Sequence, residues 1–232
     1  MAKYCIAGIT FEMIPHYEKL RKQAIPYLVN NDEKPAFLVE IPEDILNDLK
    51  MDTPYLSKED LEYMYAGMRF YYKIIKYKGI MLHSSAVVKD GYAYLFSAPS
   101  GTGKSTHTSK WIKSFNDAYI LNDDKPAIFL RDKAYASGTP FSGKVDLSVN
   151  KTIPIKAICF IERSNENTIK RIESKEAIGL ILDQTVRIPL LKTTDKILKI
   201  IEELVKNVKI YKMGCTLSDD VAIFAHNAMS KD

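Results

Sequence analysis

The spacing of apolar and polar residues along the chain changes character twice. Residues 1–56 carry short apolar runs separated by turn-formers. "YCIAGITFEM" and "AFLVEI" read as strands, and Pro15, Pro26, Pro35, Pro42 and Pro54 interrupt any long regular element. "PHYEKLRKQAIPYL" between them suits a helix and a strand equally. The stretch predicts a small β-rich lobe. At Ser57 the period lengthens. "LSKEDLEYMYAGMRFYYKIIKYKG" opens with Ser57 and has Asp60 three residues on, a capping-box arrangement ahead of a helix. Leu61, Met64, Tyr65, Met68 and Tyr72 fall on one helical face and are predicted to be its buried stripe, with Gly79 as the stop.

From there to the end, strand and helix patterns alternate. Two β-rich arms, 82–88 and 92–97, flank Asp90-Gly91. Both turn residues accept positive φ, so the pair predicts a hairpin. A helix follows over 104–115, anchored by Trp111, Ile112 and Phe115, and then a strand "AYIL" whose C-terminal end is "NDDK". "PAIFL" and "AYASG" form a second hairpin around Arg131-Asp132-Lys133, and "IKAICFIER" reads as a buried strand. "TIKRIE" is strand-like. Helices are predicted over 174–184 and 194–207, then a strand "VKIYKM" and a last helix capped near Ser218. This divides the chain into an N-terminal lobe, 1–56, and an α/β unit, 57–232.

Composition narrows the class. Of the 232 residues, 46% are hydrophobic and 27% charged, values that support an ordinary globular core without disulfides or metal staples. The net charge of +4 comes from scattered lysines and arginines with no run of five, which argues against a nucleic-acid footprint and agrees equally with an anionic substrate. Cys5, Cys159 and Cys215 lie far apart, with no CxxC pair. Their apolar neighbours and odd number predict buried free thiols of a reducing cytosol, with no zinc site. The N-terminal residues lack the apolar length of a signal peptide, and no segment has the ~18 apolar residues of a membrane span. The expected location is the cytoplasm, with no membrane partner.

The chemistry concentrates in "LFSAPSGTGKSTHTSKW". Ala98 to Ser105 follow the phosphate-binding P-loop pattern, with Ala in place of the first Gly. Gly101 and Gly103 permit a backbone whose N–H groups converge on phosphate oxygens, and the helix that follows adds its positive end. Pro99, Ser100, Gly101, Thr102, Gly103, Lys104, Ser105 and Thr106 are therefore the candidate nucleotide-binding residues. Lys104 supplies a cation to the terminal phosphates and Ser105 a hydroxyl to Mg²⁺.

Asp123 and Asp124 stand 19 and 20 residues after Lys104, at the end of the next strand. A right-handed crossover between the two strands brings both ends to one sheet edge. One carboxylate then serves Mg²⁺ and the other accepts a proton from an incoming hydroxyl. Strand alternation predicts that only one of them points fully into the site. His83 opens the hairpin arm that leads back to the loop, within reach of phosphate or aspartate. His16, His107 and His226 are read as surface or helix-face residues. "GTPFSGK", residues 138–144, is a glycine-rich loop that either closes over a phosphate or an acceptor, with Lys144 as a second cation, or serves only as a turn. Arg163 and Arg187 are candidate anion ligands, with solvated charge as the simpler reading of each.

"HSSAVVKDGYAYLFSAPSGTGKST" followed by "AYILNDDKPAIF" resembles the catalytic domain of HPr kinase/phosphorylase, a relative of the phosphoenolpyruvate carboxykinase fold. The likeness covers 82–144 and extends elsewhere only to the order of elements. It implies a P-loop-containing mixed sheet of the HPr kinase and carboxykinase C-terminal type. It implies that His83, Lys104 and Asp123 are catalytic, with Asp123 as general base, and that Asp124 serves the metal with Ser105. It also implies ATP and Mg²⁺ as cofactors and a homo-oligomeric habit. The chain departs from the family in having Thr106 where its members carry Glu, in its first 56 residues, and in lacking an HPr-recognition signature after Lys144. The "GTPFSGK" loop resembles one in HPr-kinase-like proteins that phosphorylate serine on peptide products.

The expected activity is transfer of the γ-phosphate of ATP to a hydroxyl, on a serine of a peptide or protein or on a small molecule; the loop reads phosphates and not bases, so GTP, ADP and pyrophosphate stay open as donors. A nucleotide-gated binding module without transferase activity is the alternative. The chain has no guanine-reading NKxD motif and few arginines placed to hold a carboxylic acid, which disfavours a GTPase and a carboxykinase.

Overall fold

A computed structural model describes residues 1–143, 145–185 and 191–231; the side chains of 191 and 192 are outside this description, as are Lys144 and Arg187. The N-terminal part holds β1 (Lys3–Ile6), β2 (Ile9–Ile14), α1 (Glu18–Ala24), β3 (Leu28–Val29), β4 (Leu38–Glu40) and α2 (Glu43–Asp52). The strands form a four-stranded sheet in the order β3-β1-β2-β4. The ambiguous "PHYEKLRKQAIPYL" thus supplies α1, and "EDILNDLKMD" forms a helix where none was predicted.

α3 (Lys58–Ile74) starts as expected: the Ser57 hydroxyl accepts from the backbone N–H of Asp60 at 3.0 Å. Its buried face is the predicted one only in part: Leu61 is buried and Tyr65 packs partly against the core. Met64, Met68 and Tyr72 are exposed, while Tyr63, Gly67, Phe70, Tyr71 and Ile74 are buried. The helix is apolar on two sides, so periodicity alone cannot choose between them. Packing chooses. Phe141, fully buried, lies 5.7 Å from both Phe70 and Tyr71 between ring centroids and presses on Gly67, where an added Cβ would stand 3.1 Å from its ring. The same cluster takes in Phe11, Met13 and Val39 of the small sheet and Ala127 and Phe129 of the large one.

The remaining strands are β5 (Gly79–Met81), β6 (Ser84–Lys89), β7 (Tyr92–Ser97), β8 (Tyr119–Asp124), β9 (Ala127–Leu130), β10 (Ala134–Ser137), β11 (Thr152–Arg163), β12 (Thr168–Arg171) and β13 (Lys209–Cys215). They make one nine-stranded mixed sheet, ordered β5-β9-β10-β11-β7-β6-β8, with β13 on β11 and β12 on β13. Between them run α4 (Lys104–Ser114), α5 (Ser174–Asp183) and α6 (Leu191–Asn207), with α7 (Val221–Met229) last. The Asp90-Gly91 hairpin forms with φ of 51° and 76°.

Both faces of the central strands are covered, which is why the segment "AICFI", 157–161, is an unbroken apolar run. Ala93, Leu95, Ile158 and Phe160 face the layer of α5 and α6. Tyr94, Phe96, Ala157 and Cys159 face α4 and α7, around the fully buried Trp111. Ile112, an expected anchor of α4, is 39% exposed, because it lies on the helix face away from that layer. α7 is preceded by Asp220 and has no side-chain cap; Ser218 instead bonds within the turn before it.

Candidate active site

The register of β6 builds the site. Its first residue, Ser84, pairs with Ser97 at the end of β7 on one side and with Asp124 at the end of β8 on the other. β7 and β8 are thus parallel with β6 between them, and their C-terminal ends are level. The loop that leaves β7, the aspartates that end β8 and His83, which precedes β6, arrive at one sheet edge. There they border a cleft of about 830 Å³ lined by His83, Lys104, Ser105, Asp123 and Asp124, and closed on its far side by Tyr63 and Met64 of α3.

Between Ala98 and Lys104 the chain turns through Gly101 (φ 79°) and Gly103 (φ 119°), conformations that an L side chain rarely adopts. α4 begins at Lys104, so the N–H groups of Lys104, Ser105 and Thr106 sit in its first turn, where the helix offers them no partner. The Lys104 ammonium folds back onto the loop and donates to the Ala98 carbonyl at 2.9 Å. Burial pushes its pKa down; Asp124 and Asp123 pull the other way and Lys125 adds to the fall. Ser105 and Thr106 are exposed at the mouth. Arg163, at the end of β11, is more than a solvated charge: its guanidinium donates to the carbonyls of Gly101 at 2.7 Å and Thr102 at 3.3 Å and braces the loop from outside.

Both aspartates border the cleft, as the last two residues of β8. Their surroundings differ. Asp124 has His83 Nε2 at 3.2 Å from Oδ1 and is ion-paired with Lys125. Burial alone raises its pKa, but the hydrogen bond from His83 and the charge of Lys125 outweigh that and hold the carboxyl below its ordinary range. Asp123 Oδ1 is buried and has no hydrogen-bond partner among the described residues.

Three supporting residues went unnoticed in the sequence. Asn122, fully buried, accepts from the N–H of Asp124 (3.2 Å) and of Lys125 (2.8 Å) and donates to the Thr139 carbonyl (3.0 Å), which fixes the turn after the aspartates. An asparagine bonding to the backbone two residues on is a turn signal that was available. Gln184 holds His83 twice, its carbonyl accepting from the His83 N–H at 2.7 Å and its side chain meeting Nδ1 at 3.1 Å. No local pattern could reveal a partner 101 residues away. Tyr63 accepts from the Gly143 N–H at 2.9 Å and brings the 138–143 loop against Asp124. Lys144, expected in this loop, lies outside the described residues. His107 lies on a face of α4, but the inward one: it is buried against Phe96 and accepts from Trp111 Nε1 at 3.3 Å.

Fold and site together define a mixed α/β protein in which a glycine loop, a lysine and two carboxylates meet at one sheet edge. The family described as SynChlorMet cassette protein ScmC matches residues 56–229, and the chain belongs to that family. Among solved structures, the chain is similar to the Hpr(Ser) kinase/phosphatase from Coxiella burnetii, at 15% identity and a TM-score of 0.33, over 55% of this chain and 94% of that one. No curated protein matches the chain in sequence. Among the described residues, no helix is long and apolar enough to cross a membrane.

Proposed function

We propose that this protein is an ATP-dependent kinase that transfers the γ-phosphate to a hydroxyl, with a serine of a peptide or protein as the acceptor class. One observation carries the reading: Lys104 and Ser105 from the start of α4, and Asp123 and Asp124 from the end of β8, line the same cleft. A cation and a set of inward N–H groups opposite a carboxylate pair are what phosphoryl transfer asks of a protein, namely positioning and charge neutralisation.

The loop 98–106 holds the phosphates through its backbone and Lys104. Among the described residues, no group of three or more His, Cys, Asp or Glu side chains is placed to hold a metal alone. Mg²⁺ sites of this kind use one or two carboxylates and complete their shell with phosphate and water oxygens. The residues present fit that pattern: Ser105 and the ionised Asp124 are the ligating candidates. Mg²⁺ bound with the nucleotide neutralises charge on the phosphate oxygens.

Asp123 has no cationic partner among the described ion pairs and serves as the general base. It takes the acceptor's proton as the hydroxyl oxygen bonds to the γ-phosphorus. The bond from that phosphorus to the bridging oxygen breaks, and its electron pair leaves with ADP. His83, gripped by Gln184, orients Asp124 from the opposite side.

Acceptor-dependent transfer of label from γ-labelled ATP tests this reading. The expected result is transfer to serine-containing peptides that Lys104→Ala lowers at least ~100-fold. Undiminished turnover by Lys104→Ala would place the site elsewhere. Nucleotide binding without transfer to any hydroxyl would favour the binding module.

A further inference from the structure

We propose that the nucleoside of the bound nucleotide, its base and ribose, occupies a second cavity on the other side of the α4 N-terminus, between α4, the ends of β11 and β13 and the start of α7. The inference rests on the reading of residues 98–106 as the nucleotide loop and adds to it the direction in which the nucleotide lies.

That cavity measures about 430 Å³, and Gly103 and Thr106 line both it and the carboxylate cleft. The first-turn N–H groups of Lys104, Ser105 and Thr106 therefore form a path from one to the other. A triphosphate with its terminal phosphate at Lys104 and the aspartates runs across that turn. It delivers its α-phosphate at Thr106, which is the mouth of the second cavity.

The walls suit a flat, largely apolar group. Ile161 and Val221 are buried on either side, and the buried imidazole of His107 forms part of the lining. Burial pushes that imidazole down to a pKa of about 4, so it presents a neutral ring at physiological pH. A base entering such a site gains from removal of apolar area and from ring contact.

The rim is built and not merely a gap. The Thr216 N–H donates to Asn167 Oδ1 at 2.9 Å, and Asn167 Nδ2 donates to Ser218 at 3.0 Å. Lys110 of α4 ties the same turn down, donating to the Leu217 carbonyl at 2.8 Å and pairing with Asp219 at 2.7 Å. The Leu217 side chain, 80% exposed, stands at the entrance.

A rival cavity of about 590 Å³ borders the loop next to Leu180 and Asp183. It touches residues 97–102 but no residue of α4, so a phosphate chain lying on the first-turn N–H groups does not lead into it.

Calorimetric titration of the full chain with ATP and with inorganic tripolyphosphate, each with Mg²⁺, tests the placement. The variants are Leu217→Glu and Ser164→Trp in the proposed cavity and Leu180→Trp in the rival. The unaltered protein is expected to bind ATP about tenfold or more tightly than tripolyphosphate, the surplus coming from the buried nucleoside. Leu217→Glu and Ser164→Trp are expected to erase most of that surplus without moving the tripolyphosphate Kd, while Leu180→Trp leaves both affinities in place. Should Ser164→Trp fail to fold, Leu217→Glu, at an exposed side chain, decides alone. Equal binding of the two ligands by the unaltered protein, a surplus that survives Leu217→Glu, or one lost in Leu180→Trp overturns the placement. Binding of neither ligand overturns the nucleotide reading itself, a result separate from all of these.

Discussion

His83 Nε2 lies 3.2 Å from Asp124 Oδ1, at the point where the start of β6 and the end of β8 come level. The contact joins residues 41 positions apart and helps keep Asp124 ionised, against the burial that opposes it. Removing the imidazole should therefore raise the Asp124 pKa. The sign is fixed by linkage: a carboxyl depressed in the folded state contributes stability above its unfolded pKa and loses it as pH falls through the folded value. His83→Ala is expected to move the acid limb of Mg²⁺-nucleotide binding to higher pH. Titrations of binding between pH 3 and 7 read this directly, and an unmoved limb would free Asp124 of any dependence on His83.

The two aspartates should separate experimentally. Asp123→Asn is expected to keep nucleotide affinity within a few-fold and to lower the transfer rate by about two to four orders of magnitude, the range for loss of a general base. Asp124→Asn is expected to weaken Mg²⁺-dependent nucleotide binding instead. The opposite pattern would exchange their roles.

His107 makes the fold sensitive to acid. Its pKa is lowered to about 4 by burial, below the unfolded value, so the unfolded chain binds its proton first as pH falls. Stability from the neutral ring is complete above the unfolded pKa and drains between that value and the folded one. From pH 7 to pH 5 this one group should cost about 2 kcal/mol. Urea denaturation at the two pH values should give a smaller loss in His107→Gln than in the unaltered protein.

Phe141 joins the 138–143 loop to the core that carries α3. It is 1% exposed and packs on Tyr63, Phe70 and Tyr71. Phe141→Ala should destabilise the chain by about 3–5 kcal/mol, as for other fully buried aromatic side chains. Because Tyr63 and Gly143 flank the cleft, transfer should fall further than the folded fraction does. Denaturant midpoints compared with activity per folded molecule measure both.

How far these relationships were legible depends on their range. The loop, the paired aspartates and the Asp-Gly hairpin could be read because each is local chemistry: positive φ at adjacent positions, a capping hydroxyl, a strand ending in carboxylates. The Ser57 cap of α3, accepting from the Asp60 N–H, is settled within four residues. The buried face of α3 could not be read, because Met64, Met68 and Tyr72 repeat at the same helical spacing as the residues that pack. Only the approach of Phe141 to Gly67 breaks that tie. Gln184 and Tyr63 were invisible for the same reason, since each reaches the site from a distant element.

The amino-acid sequence by itself determined the glycine turn ahead of α4, the order of strands and helices from β6 onward, and the carboxylates one crossover later, because turn geometry and periodicity act over a few residues. Tertiary structure decided which helix face is buried, which partners hold His83 and Asp124, and that two cavities flank one helix start. Those outcomes follow from the register of β6 between β7 and β8 and from side-chain packing across the layers, which no local pattern encodes.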